Sequence, residues 1–207
     1  MFYNILDKKR LKILPLLKNF KKDFYLAGGT GLALQLGHRD SIDFDFFSKN
    51  NIDTQKLFLQ IKKIFKGYKI LKIQEERNTL TVFIDENIKL SFFTYNYRLI
   101  KKTIDEPYFN IASIIDIADM KLSAIVSRAN NKDYIDLYFI FKEVSLKNIL
   151  KDLNKKFPEL DVNLVLKSLV YFKDLKMEPI KFKNNKNIDL KTIKDFFEKQ
   201  IIELKLR

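Results

Sequence analysis

The order of apolar and polar residues in the first half of the chain predicts a mixed β-sheet with a few helices. Apolar residues recur every three to four positions over 7–20 and 54–65, as in amphipathic helices, and a shorter helix is predicted at 31–36. Short apolar or alternating segments predict strands at 23–27, 42–47, 69–74, 79–84 and 88–95. Residues 85–87 predict a tight hairpin turn between the last two strands.

From residue 111 onward the pattern becomes helical. Helices are predicted at 113–128, 132–141, 146–155, 162–171 and 190–206. A sheet-rich first half followed by a helical second half is an α+β arrangement, and its boundary is expected near Asn110. The pattern therefore predicts a mixed β-sheet domain over 1–110 and a helical C-terminal domain over 111–207.

Composition narrows the chemistry that is available. The 207 residues include no cysteine and one histidine, His38, which excludes disulfide scaffolds, cysteine nucleophiles and multi-histidine zinc sites. Any metal must be held by oxygen ligands, which favours Mg²⁺ or Mn²⁺. The net charge of +13 fits polyanionic partners such as RNA or nucleoside triphosphates, or a general richness in lysine. Neither a secretory signal nor an apolar stretch of about 20 residues is visible, so we expect a soluble, cytoplasmic protein without a membrane partner.

The segment 24–48 carries the residues that are most indicative of chemistry. Gly28, Gly29 and Thr30 form a turn that opens a helix, where backbone N–H groups and a hydroxyl can bind phosphate. Asp43 and Asp45 are two positions apart on a strand, so both carboxylates leave the same face and phenylalanines fill the other. Alone, each feature has a more ordinary interpretation: a turn with a helix cap, or the solvated face of an edge strand. Together they favour a divalent cation held between two acids and a phosphate.

This segment resembles the signature of the nucleotidyltransferase superfamily, a Gly-Gly or Gly-Ser turn followed by an Asp-x-Asp strand. With the string Arg39-x-Ser41-x-Asp43-x-Asp45 it resembles the AbiEii/AbiGii abortive-infection toxins in particular. The resemblance implies a nucleotidyltransferase-like fold whose helical C-terminal half completes the active site. It also implies a metal at Asp43 and Asp45 and a nucleoside triphosphate substrate. Arg39 and Ser41 would line the nucleotide pocket or only brace the loop.

A second motif, which also resembles the family's, extends from residue 116 to residue 137. On a helical wheel Lys121 falls at the centre of an apolar stripe, so it must reach a partner or a cleft, and so must Arg128. The same test puts Asp133 and Asp136 on the buried side of the next helix. These charges could form a structural ion pair. We favour the functional interpretation, in which Lys121 contacts the triphosphate and Asp133 or Asp136 completes the polar cluster or acts as a base.

One position departs from the family pattern. Many nucleotidyltransferases carry a third carboxylate on a later strand facing the Asp-x-Asp pair, and Ser91 stands at that position here. Serine is not a strong base or a full anionic ligand, so the third acid is supplied by Asp133 or Asp136, or is absent. His38 is interpreted as a loop residue without a functional role. The aromatic residues in 92–97 could stack a nucleobase, although packing in the core is the more common use of phenylalanine.

The expected activity is transfer of a nucleoside monophosphate from a nucleoside triphosphate to a hydroxyl, with release of pyrophosphate. The resemblance implies a toxin–antitoxin or phage-defence enzyme that modifies the tRNA 3′ end and has a cognate antitoxin. Two alternatives stay open. The first is an enzyme that modifies a small molecule such as an aminoglycoside, against which the basic charge argues mildly. The second is an inactive RNA-binding module of the same fold, which Ser91 suggests.

Overall fold

The computed structural model describes residues 1–205, and its centre is a seven-stranded mixed sheet. The strands are β1 (Tyr25–Ala27), β2 (Phe44–Ser48), β3 (Ile70–Glu76), β4 (Thr79–Ile84), β5 (Ile88–Thr94), β6 (Ile104–Asp105) and β7 (Asn110–Ile111). Their order is β3-β4-β5-β2-β1-β7-β6; β1 runs parallel to β7 and β2 parallel to β5, and the other neighbours are antiparallel. The five longer strands match the predicted ones. The pattern does not predict β6 and β7, which are too short for an alternation to be visible.

Eight α-helices accompany the sheet within residues 1–205. They are α1 (Lys8–Leu17), α2 (Gly28–Leu36), α3 (Thr54–Ile64), α4 (Ile114–Ser127), α5 (Asn131–Glu143), α6 (Leu146–Lys156), α7 (Val162–Val170) and α8 (Leu190–Lys205). The helix predicted over 7–20 ends at Leu17 and continues as a short 3₁₀ turn. The glycines assigned to a turn form the start of α2, so this helix begins directly after β1. Leu206, the predicted end of the last helix, lies outside the described residues.

Alternation along the strands separates two packed layers. Phe44 and Phe46 are fully buried on the face that packs against α1 and α3. On the other face Tyr25 and Ala27 join the layer formed by α2 and the C-terminal helices. Asp45 lies between the two phenylalanines on β2, so burial of the aromatic rings fixes its carboxylate on the opposite face. Burial of each ring contributes about 1.5–3 kcal/mol, which makes the orientation of β2 costly to reverse.

Polar side chains cap the N-termini of the helices that surround the site. Ser113 accepts a hydrogen bond from the backbone of the first turn of α4, and Asn130 does the same for α5. The segment 171–189, between α7 and α8, returns to the loop that precedes β2, where Phe182 forms an isolated β-bridge with Arg39. The amide of Asp40 donates to a carbonyl of this segment at 2.8 Å. The C-terminal half therefore contributes a wall to the loop that precedes β2.

The predicted boundary after residue 110 falls inside β7, and the division into 1–110 and 111–207 stays a prediction. Within residues 1–205, no helix combines the length and the apolar character that a membrane crossing requires.

Candidate active site

A cavity of about 880 Å³ lies where the sheet meets the C-terminal helices. Its walls come from the start of α2, the loop 39–43, strands β2 and β5, helix α4, the start of α5 and the segment 178–181. Gly28, Gly29, Asp43, Asp45 and Lys121 all line it. The structure thus brings the two sequence motifs together around one space.

The carboxylate of Asp45 faces the glycine turn. A Cβ atom placed on Gly28 would lie 3.0 Å from Asp45 Oδ2. Gly28 also has a φ angle of +62°, which residues with a side chain rarely adopt. Glycine is therefore required here both by the backbone conformation and by the close approach of the acid.

Burial and neighbouring charges act in opposite directions on the pKa of Asp45. Burial raises the pKa of Asp45, the positive charge of Lys89 lowers it, and the negative charge of Asp43 raises it again, with the net result above the usual range. Asp43 is 44% exposed, and its Oδ2 lies 3.7 Å from Lys89 Nζ. Two neighbouring carboxylates, one of them half-buried, favour an additional cation between them.

Lys89 is a site residue that the sequence reasoning missed. Asp45 pairs with Ser91 in the parallel β2–β5 register, and Lys89 precedes Ser91 by two positions on the same face of β5. This alternation was the available signal, but an exposed lysine in a lysine-rich chain carries little information. Ser91 does lie opposite Asp45 and is buried, and its hydroxyl acts on the Asp45 carboxylate by lowering its pKa.

The residues after Gly28 brace the loop that holds the acids. A Cβ atom on Gly29 would lie 2.7 Å from Arg39 Nη2 and 3.2 Å from Ser41 Oγ, so Gly29 leaves room for both side chains. Thr30 is 1% exposed, and its hydroxyl bonds to Ser41 Oγ at 2.8 Å and to the backbone carbonyl of Asp43. The Thr30 hydroxyl is therefore enclosed and ties α2 to the loop before β2, and its predicted phosphate contact stays a prediction.

Asp136 is the centre of a buried ion cluster. Its carboxylate accepts from Arg39 Nε and Nη2 at 2.7 Å each, lies 2.6 Å from Lys121 Nζ and 2.6 Å from His38 Nε2, and is fully buried. Burial alone would raise the pKa of Asp136, but the charges of Arg39 and Lys121 hold it well below the usual range. His38 lies in a loop as predicted, yet it is fully buried and takes part in this cluster.

The structure separates the two aspartates of α5. Asp133 lines the cavity and accepts from Lys121 Nζ at 2.7 Å, whereas Asp136 does not reach the cavity. Of the two predicted roles, completing the polar cluster or acting as a base, the surroundings of Asp136 favour the first, since cations occupy its oxygens and hold its pKa well below the usual range. Burial would lower the pKa of Lys121, but Asp136 and Asp133 raise it, so the ammonium at the cavity wall stays charged.

Comparison with known proteins identifies this arrangement. Residues 16–203 match the family described as "Nucleotidyl transferase AbiEii toxin, Type IV TA system". The chain belongs to the AbiEii family. It is therefore a nucleotidyltransferase of a toxin family, as the resemblance in the sequence implied. A relative from Aquifex aeolicus, an uncharacterized protein, is 40% identical over 163 residues, which cover 75% of this chain and 77% of the relative.

Solved structures share the fold of this AbiEii-family chain. JHP933 from Helicobacter pylori aligns with a TM-score of 0.53 and 22% identity, over 97% of this chain and 98% of that chain. MenT4, a nucleotidyltransferase toxin from Mycobacterium tuberculosis, aligns with a TM-score of 0.63 and 16% identity, over 92% and 80% of the two chains. Because these identities are low, the likeness concerns the fold. It agrees with the predicted α+β class.

Proposed function

We propose that this AbiEii-family enzyme transfers a nucleoside monophosphate from a nucleoside triphosphate to the 3′ end of an RNA. The observation that carries the proposal is the approach of Asp45 Oδ2 to the Gly28 position, 3.0 Å from where a Cβ would lie, in the cavity that Lys121 also lines. An acid, an open helix start and a charged ammonium around one space form a site for a metal-bound phosphate chain.

The phosphates would bind at the start of α2. Gly28 and Gly29 line the cavity there, and the first N–H groups of a helix attract anions. Lys121, which lines the same cavity, would offset the phosphate charge. In this proposal Asp136 positions Arg39 and Lys121 and does not touch the substrate, because it lies behind both cations.

The residues present fit a divalent cation at Asp43 and Asp45. No group of three or more His, Cys, Asp or Glu side chains in residues 1–205 is arranged to hold a metal, so the protein would supply two carboxylates. Mg²⁺ is commonly held by one or two carboxylates together with substrate phosphates. When bound, such an ion neutralises developing charge and aligns the acceptor hydroxyl with the α-phosphate. Since nucleotidyl transfer depends mainly on positioning and electrostatics, Ser91 in place of a third acid is compatible with activity.

The far end of the cavity favours an anionic acceptor. Arg128 and Lys181 line it with side chains that are 73% and 76% exposed, and each reaches a carboxylate only at 3.8 and 3.5 Å, Asp133 and Asp40 respectively. Lys132 also lines the cavity and pairs with Glu178 at 2.7 Å. Exposed cations attract the phosphates of RNA and repel a cationic drug such as an aminoglycoside. The proposed acceptor is the tRNA 3′ end, in the cytoplasm, with a cognate antitoxin as partner and phage defence as the setting.

The test is transfer of label from each of four α-labelled nucleoside triphosphates to a tRNA pool. We expect labelled tRNA with Mg²⁺ or Mn²⁺ and none with a chelator. Asp45→Asn should reduce the rate by at least about 100-fold, because several kcal/mol of transition-state stabilisation depend on the ion. Asp195→Asn, the same change on the exposed surface of α8, is the control and should keep full activity.

Two results would contradict the proposal. Label on an added aminoglycoside but not on RNA would support the small-molecule alternative. Binding of tRNA without any label, at every triphosphate and metal tested, would support the inactive RNA-binding alternative.

A further inference from the structure

The cavity has an aromatic end that the proposed chemistry does not use. Phe47 follows Asp45 by two positions on β2, and Phe93 follows Ser91 by two positions on β5. Side chains two apart share a face, so the aromatic rings continue the surface of the acids roughly 7 Å further along the strands. The two rings lie 5.3 Å apart, are tilted by 32°, and both line the cavity.

Three further rings extend this surface. Tyr95 packs on Phe47 at 5.7 Å, Tyr97 on Tyr95 at 5.1 Å, and Phe157 on Tyr97 at 4.5 Å. All of them line the cavity, and Tyr97 is 46% exposed. We call Phe47, Phe93, Tyr95, Tyr97 and Phe157 the aromatic wall. Because each ring is held by a neighbouring ring, the exposed face of Tyr97 is formed before any ligand binds.

The aromatic wall and the basic residues lie at opposite ends of α4. Lys156 bonds to Asp116 at the start of this helix at 2.8 Å and lies 5.8 Å from the Tyr95 ring. Arg128 lies at the other end of α4. At the rise of an α-helix it is about 16 Å along the axis from Ile117, in the first turn. Lys121 lies between the two ends. The cavity is therefore apolar and aromatic at one end, anion-binding in the middle and basic at the other end.

We propose that the aromatic wall is a nucleobase-stacking site and that Tyr97 is the ring that contacts the base. This inference rests on the proposed function, since it assigns the apolar end of the same cavity. The aromatic wall begins at Phe47 and Phe93, two residues beyond Asp45 and Ser91, and continues through Tyr95 to Tyr97 in ring-to-ring steps of 5.7 and 5.1 Å. Tyr97 is the ring of the wall that is exposed to an incoming base, being 46% exposed. Stacking on rings tolerates every base, so the wall would contribute affinity more than base choice.

The base can come from either substrate. It belongs to the nucleoside triphosphate if the phosphates lie at the glycine turn and the sugar points along β2. It belongs to the last nucleotide of the RNA if the acceptor enters from the aromatic end. The chemistry of recognition is the same, and two arms of one experiment distinguish the sources.

The first arm measures equilibrium binding of ATP, CTP, GTP, UTP and inorganic triphosphate, with Mg²⁺ and without RNA. Tyr97→Ala should weaken nucleotide binding about tenfold, within the range for loss of one stacked base. Inorganic triphosphate, which has no base, should bind to this variant as to the wild type. Tyr97→Phe keeps the ring and should keep the affinity, and Tyr171→Ala, which removes an exposed tyrosine outside the cavity, should change nothing.

The second arm measures binding of a short single-stranded RNA and of the same RNA with an abasic 3′ terminus. If the base comes from the acceptor, Tyr97→Ala weakens binding of the first RNA about tenfold and leaves the second unchanged. The inference is overturned if Tyr97→Ala changes neither arm, or if it weakens inorganic triphosphate as much as the nucleotides. Those results leave the proposed function standing. Failure of the wild type to bind any nucleotide with Mg²⁺ would instead remove the proposed function as well.

Discussion

Asp119 on α4 gives a pH-dependent test of the packing behind the cavity. Its side chain is fully buried, and neither carboxylate oxygen has a hydrogen-bond partner within residues 1–205. Burial raises the pKa of Asp119 from 3.8 to about 7; Lys156 lowers it, and the nearby Asp116 and Asp152 raise it. We predict that Asp119→Asn removes a pH-dependent loss of stability that the wild type suffers.

The sign follows from linkage between proton binding and folding. The folded state holds the proton of Asp119 more tightly than the unfolded state, so between pH 4 and 7 the folded state binds more protons. The free energy of unfolding of the wild type therefore falls as pH rises through this range, and this contribution is constant above about pH 7. A rise of the pKa from 3.8 to about 7 corresponds to roughly 4 kcal/mol in total.

Asparagine does not titrate, so its own contribution to the free energy of unfolding is the same at every pH. Its buried amide costs about 1–3 kcal/mol without partners, as an offset that does not change with pH. Urea denaturation at pH 5, 6, 7 and 8 should show the stability of Asp119→Asn rising relative to the wild type by about 3 kcal/mol across the series. Asp195→Asn, on an exposed position of α8, should stay within about 0.5 kcal/mol of the wild type throughout. A difference between Asp119→Asn and the wild type that is flat from pH 5 to 8 would refute the reasoning.

Two further predictions concern the glycine turn and the buried ion cluster. Gly28→Ala should lower the free energy of unfolding by about 1–2 kcal/mol because of the positive φ angle at this position. It should also reduce the rate of nucleotidyl transfer at least about tenfold, because the new Cβ displaces the Asp45 carboxylate. Gly67→Ala is the matched control: its φ is +93° but nothing lies within 4 Å of the added Cβ, so stability should fall and transfer per folded molecule should not. Equal activity of the two variants in a labelled-nucleotide assay would contradict this account. Asp136→Asn should cost about 3–5 kcal/mol by urea denaturation at pH 7, because it leaves the buried charge of Arg39 without its partner. A loss below about 1 kcal/mol would show that the cluster is not an ion pair of the folded state.

Local patterns were sufficient to predict the parts of the site that depend on one element at a time. The alternation in β2 predicted Asp45 on the face opposite Phe44 and Phe46, and the structure has this arrangement. Helical periodicity predicted that Lys121 lies on an apolar face, and its side chain is buried. In each case the burial of neighbours on the same element decides the orientation, so the neighbouring sequence contains the information.

Contacts between distant segments were not predictable in the same way. Helical periodicity placed both Asp133 and Asp136 on the buried side of α5. Packing of α5 against the loop at Arg39 then encloses Asp136 and leaves Asp133 at the cavity, and the sequence of α5 alone does not show this difference. The return of segment 171–189 to that loop joins positions more than 130 residues apart. Short two-residue strands such as β7 form because β1 lies beside them, and their own sequence carries no signal.

The buried cluster shows why the structural and functional interpretations of the second motif do not exclude each other. Asp136 compensates Arg39 and Lys121 at once, and a single carboxylate leaves the pair with a surplus positive charge. Asp133 supplies a second negative charge from the cavity side, 2.7 Å from Lys121 Nζ, but it also lies 3.8 Å from Arg128 Nε, so it compensates Lys121 only in part. An incoming phosphate can replace this partial compensation, because Lys121 already reaches the cavity wall and needs no rearrangement of α4. Asp136 would thus act on catalysis through the position of the ammonium, and the loop, α4 and α5 have to be packed before the anion site exists.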